Sequence, residues 1–166
     1  MLKTERLTLR PLNEVDAPAL AAAANDYEIA KWLTRLPHPY GFSDAMEFIP
    51  RAQADGVFLN DELIGMVGYD SAMELGYWYV QSAWGQGYAT EAAQAVLKRH
   101  FVSSDDGFDS GYILGNGASE RVLTKLGFEK TKLVTEPAIL RKQVRIQKMY
   151  LSKKRWDALE QARATV

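Results

Sequence analysis

The sequence predicts a mixed α/β (α+β) fold in a single domain spanning residues 1–166. Three observations carry that expectation. Stretches that alternate apolar and polar residues, such as "RLTLRPL" and "QVRIQKMYLS", read as strands. Stretches with apolar residues three and four apart read as helices. Their order is a strand, helices, several antiparallel strands, and a closing strand–helix–strand–helix–strand run, the order of a sheet packed against helices. With 166 residues, 47% of them hydrophobic and 25% charged, the chain has the size of one domain and can bury a core without covalent staples.

The elements follow in order. Leu7 and Leu9 alternate with polar neighbours in the first strand, and Pro11 ends it. Asn13 and Asp16 are placed to cap a helix through "APALAAAAN". In "DYEIAKWLTRL", Ile29, Trp32, Leu33 and Leu36 keep helical spacing. "PHPYGF" is a rigid aromatic loop, and Ser43 is placed to cap a helix in "DAMEFIPRAQ" that Pro50 strains or ends. "VFLNDELIGMVGYD" reads as a hairpin turning at Asn60 and Asp61, and "MELGYWYV" as a further strand. After "WGQGYATEAA", Ala93, Val96, Leu97, His100 and Phe101 form one helical stripe. "SSDDGFDS" reads as a loop and "GYILG" as a short strand. "NGASERVLTKLGF" is a helix with Asn116 at its start and Gly127 after its last apolar residue. "QVRIQKMYLS" is a strand and "KRWDALEQARA" a final helix.

Composition excludes several chemistries. Without cysteine there is no disulfide, no thiolate metal ligand and no cysteine acyl-enzyme. Two distant histidines, His38 and His100, suggest no metal site. The opening "MLKTERLTLRPL" is too polar for a signal peptide, and no apolar run approaches a membrane span. The expectation is a cytoplasmic protein with no membrane partner, acting as a monomer or homodimer. A net charge of −1 predicts no direct attraction to nucleic acid. Residues 121–155 nonetheless hold eleven Lys or Arg against two Glu, a local +9. That segment is either a solvated basic hairpin or a surface for a phosphate or an acidic partner.

The motif "WGQGYATEAA" carries the functional signal. Gly87 is followed by Tyr88, not Lys, so this is no Walker loop. Thr90 stands where a dinucleotide fingerprint needs its third glycine. A third option remains: a short turn leading from a strand into a helix, whose free amides and dipole hold a pyrophosphate without a lysine. The plain alternative is a glycine-rich connection and nothing more.

"ELGYWYVQSAWGQGYATEA" followed by "GNGASERVLTKLGF" resembles the GNAT superfamily of N-acetyltransferases. "TERLTLRPL", "LPHPY…DAMEFI" and "DELIGMVGY" extend the resemblance to about residues 4–155. They bring it nearest to the RimJ and RimL type, which acetylates N-terminal amines of ribosomal proteins. The resemblance implies a mixed, mostly antiparallel central sheet of about seven strands flanked by helices. It implies acetyl-CoA as co-substrate and no metal. The pyrophosphate would lie on the turn formed by Trp84, Gly85, Gln86, Gly87, Tyr88, Ala89 and Thr90. The pantetheine arm would run beside Tyr79 and Val80 like an added strand.

Transfer to an amine needs a neutral nucleophile, a polarised carbonyl and a protonated leaving thiolate. Direct attack in a ternary complex meets those needs with proximity alone. The resemblance implies Glu74 as the group that takes the amine's proton; it also reads as a surface glutamate paired with a neighbouring strand. It implies Ser119 as donor to the sulfur; Ser119 also reads as a first-turn serine satisfied locally. Tyr112 and Tyr88 are the other phenols that could donate, and Asn116 could contact pantetheine, cap its helix, or do both. The acceptor is expected to be a primary amine, an N-terminal α-amine foremost and a small amine such as a polyamine or aminoglycoside otherwise. A non-catalytic acyl-CoA-binding module is the rival outside the enzymes.

Overall fold

A computed structural model describes residues 1–165. Strands β1 (Leu2–Lys3) and β2 (Thr8–Arg10) lead into helices α1 (Ala17–Ala24), α2 (Tyr27–Ala30) and α3 (Phe42–Phe48). Strands β3 (Ala54–Leu59), β4 (Glu62–Tyr69) and β5 (Leu75–Tyr79) precede helix α4 (Tyr88–Phe101). Strand β6 (Phe108–Ile113), helix α5 (Gly117–Leu126), strands β7 (Glu129–Ala138) and β8 (Arg141–Leu151), and helix α6 (Lys153–Ala164) complete the order. None of the described helices is long and apolar enough to cross a membrane.

Two antiparallel sheets result, one in the order β1-β2-β3-β4-β5 and one in the order β6-β8-β7. They join at a parallel bridge between Glu74 and Asp109, beside a hydrogen bond from Ser110 Oγ to the Leu75 carbonyl at 2.9 Å. Past that stitch β5 and β6 share no ladder. The eight strands thus exceed the expected seven or so and fall into two sheets.

The core lies in two layers, one on each face of β4, whose alternation shifts by one residue at a bulge where Val57 pairs with Gly65 and Phe58 with Leu63. Ile64 and Val67 of β4 face a cluster with Leu97 of α4, Leu123 and Leu126 of α5, and Trp156 of α6. Leu63 and Met66 face the opposite cluster, with Leu20 of α1 and Ala45 of α3. β4 is therefore buried on both faces, which explains its near-continuous apolar sequence. The turn at Asn60 and Asp61 holds both residues at positive φ, the geometry that matches hairpin twist.

Several expectations need correction. The segment after Asp26 is helical only to Ala30. Trp32 packs instead on the cluster of Ile113, Val144 and Ile146, and the Thr34 carbonyl accepts from the Ile139 amide at 3.0 Å. Its apolar spacing serves docking onto the β7–β8 hairpin, not a helix. α3 begins at Phe42, so Ser43 is inside it; the Gly41 amide donates to Asp44 Oδ2 at 2.8 Å. Residues 108–110, read as loop, already belong to β6. β7 went unread because ten residues with mostly solvent-facing side chains carry no apolar alternation.

Asp16 is the buried carboxylate that closes the first turn. It accepts from Arg10 Nη1 and Nη2, both at 2.7 Å, and from the Asn13 amide at 2.9 Å. The Arg10 hydrogen bond holds its carboxyl below the ordinary range; burial opposes this and the Asn13 amide adds to it. The stabilisation is therefore complete above the ordinary aspartate value of about 3.9 and is lost as pH falls through the lower folded value. Asp16→Asn is expected to lower unfolding free energy by about 1–3 kcal/mol at pH 7. Denaturant titrations of both proteins should converge as the pH is lowered below about 3.9; a gap that stays constant to pH 2 would contradict the assignment.

Candidate active site

The separation of β5 from β6 opens a cavity of about 1010 Å³ through the sheet layer. Because neighbouring residues of a strand point to opposite faces, β5 serves both mouths. Tyr77 and Tyr79 belong with the α4–α5 layer, and Trp78 with the α1–α3 layer. Glu74, Gly76 and Ser119 also line the cavity.

The glycine turn lies at the end of β5. The Val80 amide donates to Ile64 O at 2.9 Å and the Trp84 amide to Gln81 O at 3.1 Å. From there the pattern stops: among the described residues, the amides of Gly85, Gln86, Gly87, Tyr88, Ala89 and Thr90 donate to no protein acceptor. Gly85 and Gly87 hold φ at 73° and 82°, a region that disfavours a β-carbon. A Cβ on Gly85 would point into open space, so no internal packing demands glycine there. Six consecutive free amides, three in the turn and three in the first turn of the 14-residue helix α4, form an anion cradle. A pyrophosphate fits it, and the turn itself holds no Lys or Arg.

The strand end is less open than expected. Val80 commits its amide to β4, and the Tyr79 carbonyl accepts from Trp84 Nε1 at 2.7 Å. Tyr79 Oη is buried without a partner, and desolvation raises its pKa far above the ordinary phenol value.

Ser119 sits in the first turn of α5, where its amide donates to Asn116 Oδ1 at 3.2 Å. Asn116 is therefore the cap, and it too lines the cavity. The Ser119 hydroxyl lies 2.9 Å from Tyr77 Oη. Burial pushes the Tyr77 phenol up to about 12, against the pull of that hydrogen bond. Sequence reasoning missed Tyr77. The available signal was its register, on the opposite face of β5 from Glu74 and beside the turn. The other phenols lie elsewhere on the cavity wall: Tyr88 stacks under the Arg6 guanidinium, 4.5 Å from ring centroid to Cζ, and Tyr112 is flanked by Glu120 and Lys130.

Glu74 pairs with Lys148 of β8, Oε1 to Nζ at 3.0 Å, and Lys148 reaches Glu136 of β7 at the same distance. Burial disfavours the Lys148 ammonium, but the two carboxylates outweigh it and raise its pKa. Lys148 was also absent from the sequence reading. His38 lies off the cavity, and His100 packs edge-on against Phe108 at 4.7 Å. Among the described residues no group of His, Asp and Glu gathers to hold a metal ion.

This architecture, with a splayed sheet and an amide cradle leading into a helix, is that of an acetyltransferase. The family model for the acetyltransferase (GNAT) domain matches residues 6–129, and the chain belongs to that family. It is an acetyl-CoA-dependent acetyltransferase. It is 28% identical over 152 residues to the uncharacterized N-acetyltransferase p20 of Bacillus licheniformis, covering 81% of this chain and 85% of that one. The fold is shared with Mycobacterium smegmatis RimJ, solved in complex with CoA-disulfide, at TM-score 0.74 and 18% identity over 89% of this chain and 82% of that one. It is shared likewise with the microcin C7 self immunity acetyltransferase MccE, solved with acetyl-CoA and AMP, at TM-score 0.79 and 18% identity over 90% and 93%.

Gly87→Val is expected to abolish CoA binding while the fold persists, because a branched side chain disfavours the left-handed turn and its β-carbon would stand 3.5 Å from Arg6 Nη2. Calorimetric titration, with circular dichroism as the folding control, checks this; native affinity in the folded variant would remove the cradle from the site.

Proposed function

We propose that the chain transfers acetyl from acetyl-CoA directly to a primary amine, with a peptide or protein N-terminal α-amine as the leading acceptor. The observation that carries this reading is one cavity lined by Gly85, Gly87, Tyr88, Ala89 and Thr90 of the free-amide run and by the paired hydroxyls of Tyr77 and Ser119. The free amides of Gly85 to Thr90 hold the pyrophosphate, and the open edge of β5 guides the pantetheine arm as far as the Tyr79 amide, since both backbone groups of Val80 are already bonded. Acetyl-CoA supplies the thioester carbonyl that the amine attacks.

Ser119 Oγ gives its proton toward the departing sulfur, and Tyr77 Oη donates to Ser119 in turn. A phenol raised to about 12 stays protonated through the physiological range, so the couple is a standing donor. Glu74 takes the amine's proton from the other face of the strand. It is shared with Lys148, so the demand on it matters. An α-amine has an ordinary pKa of about 7.7–8.0, against about 10.4 for lysine, and asks far less of that carboxylate. The resemblance of the glycine-turn and α5 motifs to the RimJ and RimL type supports the α-amine reading. The fold shared with MccE supports a second one, an amine on a small molecule.

Ser119→Ala is expected to lower kcat by about 10²–10⁴-fold with little change in CoA affinity. Tyr77→Phe, which removes one hydrogen bond from the couple, should lower kcat by about tenfold. Steady-state rates of free-thiol release and CoA titrations separate the two effects. Unchanged turnover in Ser119→Ala would pass the donor role to Tyr112 or Tyr88, or to no residue.

The acceptor and the base are tested together. Short peptides with free N-termini should be acetylated, and N-blocked peptides containing lysine should not. Glu74→Gln is expected to lose most activity at neutral pH and to recover part of it at higher pH, where the amine deprotonates unaided. Activity restricted to blocked lysine peptides or spermidine would overturn the α-amine reading. An equal loss at every pH would make Glu74 a residue that only positions the acceptor.

A further inference from the structure

The anion cradle contains no cation of its own, yet a carboxylate sits in the same helical turn. Glu91 lies four residues after Gly87, and its amide donates to the Gly87 carbonyl at 3.0 Å. A bare carboxylate there would repel a pyrophosphate bound on the neighbouring amides. Arg6, in the loop between β1 and β2, meets it. Arg6 Nε and Nη2 approach Glu91 Oε2 at 2.7 and 2.6 Å, and the Arg6 amide donates to Glu91 Oε1 at 3.0 Å. Thr4 Oγ1 donates to the same oxygen at 2.5 Å. Burial works against the Glu91 carboxylate, and the Thr4 and Arg6 hydrogen bonds outweigh it, so the group stays ionised and needs its partner.

The guanidinium makes one more contact. Arg6 Nη1 donates to the Gln86 carbonyl at 3.0 Å, while its plane rests over the Tyr88 ring. A trans peptide is planar, so its carbonyl and its N–H point in opposite directions. Drawing the Gln86 carbonyl toward Arg6 turns the Gly87 N–H the other way, among the free amides of the turn. The rigid fork of arginine reaches carboxylate and carbonyl together, which a lysine ammonium cannot do with the same geometry.

We infer that Arg6 is a positioning residue for the pyrophosphate of acetyl-CoA: it orients the Gln86–Gly87 peptide and cancels the Glu91 charge beside the cradle. The inference rests on the assignment of the 84–90 turn as that cradle. It assigns a role to the "TER" tripeptide at the start of the chain, some 80 residues from the glycines in sequence.

Calorimetric titration with CoA compares the native chain, Arg6→Gln, Arg6→Lys, the double variant Arg6→Gln/Glu91→Gln, and Gly87→Val. Arg6→Gln is expected to weaken CoA binding about tenfold, the scale of one hydrogen bond to a charged group. Arg6→Lys, which keeps the charge but not the fork, should fall between that variant and the native chain. The double variant should recover part of the loss, because the unpaired carboxylate is gone. In kinetics, Arg6→Gln should raise the KM for acetyl-CoA and leave kcat and the acceptor KM in place. With S-acetylpantetheine, which carries the thioester arm without pyrophosphate or nucleotide, its rate should match the native chain's. Equal losses with both acetyl donors would mean general structural damage and overturn the inference. Native CoA affinity in Arg6→Gln, with binding lost in Gly87→Val, would overturn it while leaving the cradle intact. Native affinity in Gly87→Val would remove the cradle and the inference with it.

Discussion

The structure depends on where β5 and β6 stop pairing. They run parallel at Glu74 and Asp109, and the Ser110 hydroxyl takes the Leu75 carbonyl that a continuing ladder would have used. Beyond it β6 continues with β8, matched residue for residue from Phe108 to Ile113. β5 is left with one paired edge and one open edge. A buried backbone group without a partner costs about 1–3 kcal/mol, so an open edge inside a protein calls for an occupant. The Trp84 indole meets part of that need at the Tyr79 carbonyl. A ligand arm lying along the cleft would meet the rest. The cradle stands at the end of the same strand and Ser119 on the facing wall, so one interruption of the sheet sets all three in register.

Ion pairs compensate part of the charge in this molecule. The C-terminal segment with its excess of cations is the clearest case. Lys130 pairs with Glu120, Arg155 with Glu129, and Lys148 with Glu74 and Glu136. Exposed pairs of this kind add little stability, and Lys132, Arg141, Lys142 and Arg145 of the same hairpin enter no ion pair among the described residues. The basic balance read from sequence is thus only partly paired, and a cationic excess stays on the hairpin surface. Lys148 differs from the rest because it is the least exposed of these cations and sits in the cavity wall. It ties the strand that bears Glu74 to the long hairpin, so the carboxylate and the β7–β8 wall are positioned by the same ammonium.

What was legible in the sequence followed from local rules. The hairpin turn at Asn60 and Asp61, the cap at Asn116, the stop at Gly127 and the stripe of α4 each depend on neighbours within a few residues. The glycine turn was legible for the same reason, since it needs only free amides and positive φ. What failed depended on distant partners. Trp32 has helical spacing, yet it is claimed by a cluster built from β6 and β8. β7 has almost no apolar face of its own and is a strand because β8 pairs along it. Tyr77 meets a serine on a helix that begins 40 residues later, and Arg6 a turn farther still. No period or composition of either segment encodes those contacts.

The surroundings of Ser119 also bear on the order of chemical events. A serine becomes a nucleophile when a base accepts its proton. Its hydroxyl partner here is a phenol that burial keeps protonated, and neither histidine reaches the couple. The couple is therefore built to give a proton, not to remove one, and an acyl-serine has no activating group. The carboxylate lies on the opposite face of β5, where the α1–α3 layer leaves room above Gly76, whose missing β-carbon faces open space. An acceptor entering there meets Glu74 on its own side and the donor hydroxyls across the strand. On the roles proposed for Glu74 and Ser119, a cleft that passes through the sheet would separate proton removal from proton delivery by the thickness of one strand. That separation suits a single transfer with both substrates present, and it explains why one strand must carry a tyrosine on one face and a glycine on the other.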